Sequence, residues 1–153
     1  MALLPHSARI APMLPAVHPQ RPRHRAEFEV PAQHSSVSVA RHLLVEWLRR
    51  WHCPQETIDT AQLVISEFAT NAVLHTASDR IVCCLQQTER RLRIEVRDQG
   101  TGTLGLTPRS ANTDATNGRG LQLVDALADS WGDRPAGRAQ GRIVWAELRL
   151  DRA

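Results

Sequence analysis

The chain has 153 residues, of which 42% are hydrophobic and 23% charged, and its formal net charge is +3. This length suits one domain with a hydrophobic core, and no apolar run approaches the roughly 18–20 residues that a membrane-spanning helix needs. All 19 basic residues are arginine. The absence of lysine excludes P-loop nucleotide binding, eukaryotic-type kinase chemistry and Schiff-base catalysis, because each needs a lysine.

The positive charge is concentrated in residues 1–25, which contain arginine but no acidic residue. This proline-rich segment is predicted to be a disordered tail, followed by one domain over residues 26–150. The domain has no excess of basic residues, so direct nucleic-acid binding is not expected. The N-terminus does not resemble a secretory signal, and an odd number of cysteines with an adjacent pair is a poor disulfide framework. These features favour a cytoplasmic protein with reduced thiols.

The spacing of apolar residues predicts the secondary structure in chain order. Two predicted strands are joined as a hairpin by residues 88–90, and a long polar loop over 99–118 precedes the last helix. The strands are predicted at 26–30, 80–87, 91–98, 130–135 and 141–150, and the helices at 35–51, 55–75 and 119–129. This order predicts an α+β fold, with helices packed on one face of a mixed, mostly antiparallel sheet.

The helix predicted at 55–75 carries a polar group beside its apolar stripe. Glu67, Asn71 and His75 recur every four residues and share one side of the helix. A carboxylate and an amide one turn apart can hold Mg²⁺ directly or through water, and the carboxylate can accept a proton from a nucleophile. Taken alone, this spacing is better explained by a solvated polar edge.

Two glycine-containing motifs follow in the sequence. Asp98 ends a predicted strand and begins DQGTG, in which Gly100 and Gly102 would let the backbone pass close to a ligand. In NGRGL, Gly118 and Gly120 lie where the polar loop enters a helix, and backbone N–H groups at such a position can bind an anion. Each motif alone is also explained by ordinary turn chemistry.

In this order, the three motifs resemble the N, G1 and G2 boxes of the GHKL ATPase superfamily, which binds ATP without a P-loop. ExxxN on a helix resembles the N box, DxGxG after a strand the G1 box and GxGL opening a helix the G2 box. The resemblance implies a two-layer sandwich of the Bergerat type, with the polar loop as ATP lid. SEFATNAVLH, GRGLQLVDALADSWG and GRIVWAEL are similar to the anti-sigma-factor serine/threonine kinases, especially those of actinobacteria.

The resemblance implies roles for the residues of the first two motifs. Asn71 would coordinate the Mg²⁺ that bridges the triphosphate, and Glu67 would act as general base. Asp98 would accept a hydrogen bond from the adenine amino group. Gly100 and Gly102 would let the backbone fit around the base.

The third motif would hold the phosphates. Gly118, Gly120 and Leu121 would cap them. Arg119 would either reach the γ-phosphate in place of the missing lysine or remain a solvated side chain. His75 is expected to pack or to make a helix-end contact rather than to take part in catalysis.

The expected function is therefore an ATP- and Mg²⁺-dependent protein kinase that binds a sigma factor and phosphorylates an anti-anti-sigma antagonist. The expected partners include no nucleic acid and no membrane, and the resemblance makes a homodimer plausible. The alternative is a nucleotide-binding regulatory module that sequesters a partner without kinase activity. A third hypothesis, a structural or DNA-binding protein, requires that ATP affinity be absent.

Overall fold

The computed structural model describes residues 21–75, 79–99, 115–137 and 141–150, with His75 and residues 115–120 described by their backbone alone. In chain order the elements are β1 (His24–Pro31), α1 (Ser35–Arg50), α2 (Gln55–His75), β2 (Arg80–Gln87), β3 (Arg91–Asp98), α3 (Ala115–Leu127), β4 (Ser130–Pro135) and β5 (Arg142–Arg149). None of these helices is long and apolar enough to span a membrane.

The five described strands form one sheet in the order β1-β2-β3-β5-β4. Each of the four pairings between neighbouring strands is antiparallel. The predicted α+β class and mostly antiparallel sheet are therefore confirmed, whereas the predicted mixed character is not found among the described strands. The central strand β3 alternates as its sequence predicts, with Leu92, Ile94 and Val96 buried and the intervening charged residues more exposed.

The helices lie on one face of the sheet, with α2 in the middle. Helix α2 contacts β2, β3 and β5 as well as the other two helices. Its fully buried face includes Ile65 and Phe68, which belong to the same core cluster as Ile94 of β3 and Val124 of α3. Each such side chain contributes about 1.5–3 kcal/mol when it leaves water, so this cluster fixes α2 on the sheet.

Predicted and observed element boundaries agree within two residues, except at the start of α3. Strand β1 begins at His24, two residues earlier than expected, because its pairing with β2 starts at Gln87. Helix α3 begins at Ala115 instead of residue 119. The predicted disordered tail covered residues 1–25, but residues 24 and 25 belong to β1. Residues 1–20 and most of the predicted 99–118 loop lie outside the described residues.

Helix α1 ends with a glycine-type turn that a histidine adopts. The N–H of Cys53 donates to the carbonyl oxygen of Leu48 at 3.0 Å, and the N–H of His52 donates to that of Arg49 at 3.0 Å. These two bonds define a Schellman motif, in which the residue after the helix takes the left-handed conformation. His52 accordingly has φ of 59°, and the turn reverses the chain into α2.

Candidate functional site

The chain topology brings the predicted site elements to one end of the sheet. Residues 76–79 alone separate the end of α2 from β2, and Ile81 at the start of β2 pairs with Asp98 at the end of β3. The start of β5 lies beside the same end of β3, because Arg97 pairs with Ile143. Helix α3 leads into β4 at the opposite end, so its N-terminal part lies towards Asp98. We call this region the site end.

Two predicted residues on α2 have side chains available for a ligand. Glu67 and Asn71 are half-buried, and among the described residues neither side chain forms a hydrogen bond or ion pair. Their neighbour Ser66 is different, because its hydroxyl donates to the Gln62 carbonyl oxygen at 2.7 Å and accepts from Arg41 at 3.3 Å. A carboxylate and an amide that are half-removed from water without partners suit a ligand that supplies hydrogen bonds or a cation.

Asp98 is held at the end of β3 by the strand beside it. Its Oδ1 atom accepts a hydrogen bond from the backbone N–H of Arg142 at 3.2 Å. The adjacent Gly141 has φ of 110°, and a Cβ atom there would overlap the Asp98 carbonyl oxygen and lie 3.1 Å from Oδ1. Only glycine allows this approach, so Gly141 sets the position of Asp98.

Arg142 adds a charged group to the site end. Its Nη2 atom lies 3.4 Å from Oδ1 of Asp133 on β4, and both side chains are partly exposed. Its Nε atom is buried and has no hydrogen-bond partner among the described residues. Sequence reasoning missed both Gly141 and Arg142, since GR at the start of a strand carries no signal until strand register places it beside Asp98.

The structure describes the third motif in part. Helix α3 begins at Ala115, three residues before Gly118. Gly118 and Gly120 therefore lie in the first turns of the helix, not at the junction between loop and helix where they were predicted. Leu121 is half-buried. The side chain of Arg119 lies outside the described residues, and so do Gly100 and Gly102.

The three cysteines are free and buried, as predicted for reduced thiols. Burial raises the pKa of the Cys53 thiol to about 11 and that of Cys83 to about 12. Burial also raises the pKa of Cys84, against an opposing effect of Arg25. All three are therefore protonated near neutral pH and unsuited to nucleophilic chemistry. Within the described parts of the chain, no three metal-binding side chains of the His, Cys, Asp or Glu type lie together.

Comparison with known families identifies the class of protein that this fold and site define. The sequence profile of the histidine kinase-like ATPase domain matches residues 30–147. The match covers most of the chain and includes all three predicted motifs, so the chain belongs to this family. The predicted membership of the GHKL superfamily is thus confirmed, and ATP binding is the property that the family implies.

A solved structure shares the fold. The crystal structure of the RsbU and RsbW domains of Rv1364c from Mycobacterium tuberculosis superposes with a TM-score of 0.63 at 22% sequence identity. The aligned region covers 86% of this chain and 33% of that one, so this chain spans about a third of the length of its structural neighbour. No curated protein matches the sequence at a significant level.

Proposed function

We propose that this chain is an ATP-dependent serine/threonine protein kinase of the anti-sigma-factor type. The observation that carries the proposal is the pair Glu67 and Asn71, half-buried on α2 without partners among the described residues, at the same end of the sheet as Asp98. Family membership supports nucleotide binding. The resemblance of the three motifs to those of anti-sigma-factor kinases supports the finer assignment.

The residues of the site end suit the parts of a nucleotide. The Asp98 carboxylate accepts a hydrogen bond from the adenine amino group, and Gly141 keeps that carboxylate in place. Asn71 would hold Mg²⁺, which would supply charge neutralisation for the phosphates. We propose that the phosphates are bound by the glycines of the first two turns of α3 together with Arg119 and Leu121.

Glu67 lies one turn from Asn71 on the same helix and acts as general base. The γ-phosphoryl group moves from ATP to a serine or threonine hydroxyl, and Glu67 takes the proton of that hydroxyl as the new P–O bond forms. ADP leaves, and the proton is later released to water. Gly100 and Gly102 of the G1-type motif are assigned to the base-binding segment.

The proposed partners are a sigma factor, which the protein binds, and an anti-anti-sigma protein, which it phosphorylates. We propose that the catalytic domain, predicted at residues 26–150, begins with β1 at His24, and that the residues before it form a tail without a catalytic role. The protein is proposed to be cytoplasmic and to form a homodimer, and to act without direct contact to nucleic acid or membrane.

Replacing Glu67 by glutamine tests the kinase assignment. The full chain, with Glu46→Gln as a control for an exposed glutamate on α1, is mixed with labelled ATP, Mg²⁺ and a panel of purified anti-anti-sigma proteins. We expect Glu67→Gln to lower transfer at least a hundredfold with ATP affinity within about twofold, because a general base contributes about 10²–10⁴-fold to rate. Glu46→Gln should leave both unchanged.

Two results would contradict the proposal at different levels. If the unaltered protein binds ATP but transfers phosphate to no member of the panel, the regulatory-module alternative replaces the kinase. If calorimetry detects no binding of ATP with Mg²⁺, both nucleotide-dependent functions are wrong.

A further inference from the structure

Asp98 and Arg142 face the same side of the sheet. Alternate residues of β3 up to Val96 point into the core beneath the helices, so Asp98, two residues later, continues that face. In β5, Val144 packs against the core, so Arg142, two residues earlier, also lies on the helix-bearing face. The hydrogen bond from the Arg142 backbone to Asp98 holds the two residues side by side.

The Arg142 guanidinium is only partly satisfied. Its Nη2 atom pairs with Asp133, at the long distance of 3.4 Å, whereas the buried Nε atom has no partner in the part of the chain that the structure describes. A buried N–H donor without an acceptor is unfavourable, and such groups are rare in folded proteins. An acceptor supplied by a ligand would remove this cost.

We propose that Arg142 is a base-specificity residue, whose Nε–H donates to a ring nitrogen of the adenine that Asp98 binds. The inference rests on the proposed function in so far as it requires ATP. The exocyclic amino group of adenine is a donor flanked by the ring acceptors N1 and N7. A carboxylate and a guanidinium N–H carried on the same face of two neighbouring strands supply the complementary acceptor and donor, as in protein side chains that read adenine edges.

The probes are ATP, 1-deaza-ATP and 7-deaza-ATP, each of the last two lacking one ring acceptor. Calorimetry on the full chain with Mg²⁺ should show that one analogue binds about tenfold more weakly than ATP, the loss expected for one hydrogen bond to a charged group. Arg142→Lys keeps the positive charge but removes Nε–H. This variant should bind ATP about tenfold more weakly than the unaltered protein does. It should also bind ATP and the weaker-binding analogue with equal affinity.

Arg134→Lys is the matched control, because Arg134 is exposed on β4 and pairs with Ile143, which faces the other side of the sheet. It should leave all three affinities unchanged.

If Arg142→Lys fails to fold, the affinities of the unaltered protein still test the proposal, because equal affinity for ATP and both analogues contradicts it. Unchanged ATP binding by Arg142→Lys also contradicts it and leaves the kinase assignment intact, whereas absent ATP binding by the unaltered protein removes the proposed function itself.

Discussion

Hydrogen bonding differs between two aspartates at one end of the sheet and the pair Glu67 and Asn71 at the other end. At the end opposite the site, which we call the turn end, two aspartates accept hydrogen bonds from nearby groups, whereas the buried Oε1 atom of Gln87 has no partner among the described residues. The N–H of Arg149 donates to Oδ2 of Asp129 at 2.6 Å, and Nε1 of Trp131 donates to Oδ1 of Asp125 at 2.9 Å. At the site end, the Glu67 and Asn71 side chains form no such bonds among the described residues.

This difference indicates where the fold gives up stability for binding. Groups at the turn end terminate strands and helices, so their removal should affect folding and leave ATP affinity unchanged. The side chains of Glu67 and Asn71 at the site end are already partly removed from water without partners among the described residues, so their removal should cost little stability and change ligand binding. Gly141 is the exception, because it serves both the backbone and the position of Asp98.

Gly141→Ala should have the largest effect on stability. The new Cβ atom would overlap the Asp98 carbonyl oxygen, and φ of 110° strains any side chain. We expect a loss of about 2–4 kcal/mol and at least tenfold weaker ATP binding, measured by urea unfolding and calorimetry.

Gly137→Ala is the matched control for this prediction. Gly137 also has positive φ, of 72°, but a Cβ atom there would meet nothing within 4 Å. Its cost should be about 1–2 kcal/mol from backbone strain alone, with ATP affinity unchanged. Equal losses in the two variants would show that contact with Asp98 contributes nothing.

Asp129→Ala tests the turn end. The substitution removes the acceptor for the Arg149 N–H, and the exposed position limits the loss to about 1 kcal/mol. Urea unfolding should register this loss, and calorimetry should give the same ATP affinity as the unaltered protein. Weaker ATP binding would mean that the two ends are coupled through the sheet.

His52→Gly should stabilise the protein. The left-handed conformation of His52 suits glycine, and within the described residues the exposed histidine side chain forms no hydrogen bond, ion pair or ring contact that offsets the strain. We expect a gain of about 0.5–1 kcal/mol in the free energy of unfolding. The same substitution at exposed His42 inside α1 should instead cost about 0.5–1 kcal/mol, because glycine is unfavourable in a helix. A loss at both positions would contradict the argument.

Sequence patterns predicted the parts of the fold that local burial determines. The bounds of β2, β3 and β4 agree with the predictions. Each strand is marked in the sequence by apolar–polar alternation, by a continuous apolar run or by the turn residues that flank it. The start of α3 was wrong by four residues, since glycines at 118 and 120 add no side chain to a helical pattern. The positioning of Asp98 by Gly141 and Arg142 could not be predicted, because it joins residues more than forty positions apart through the pairing of β3 with β5.

Asn71→Ala should have the smallest effect on stability at the site end. The half-buried amide has no partner among the described residues, and alanine favours the helix, so the change in unfolding free energy should stay within about 0.5 kcal/mol. Ligand-induced stabilisation should nevertheless be lost. A protein that binds ATP with Mg²⁺ at a hundred times its Kd gains about 2.7 kcal/mol, and the variant should gain little of this. Thr60→Ala on the same helix removes a hydroxyl that donates to the Glu56 carbonyl oxygen at 3.2 Å, and it should keep the full gain. If Asn71→Ala keeps the gain as well, Asn71 does not hold the metal, and the availability of its amide reflects only an exposed helix edge.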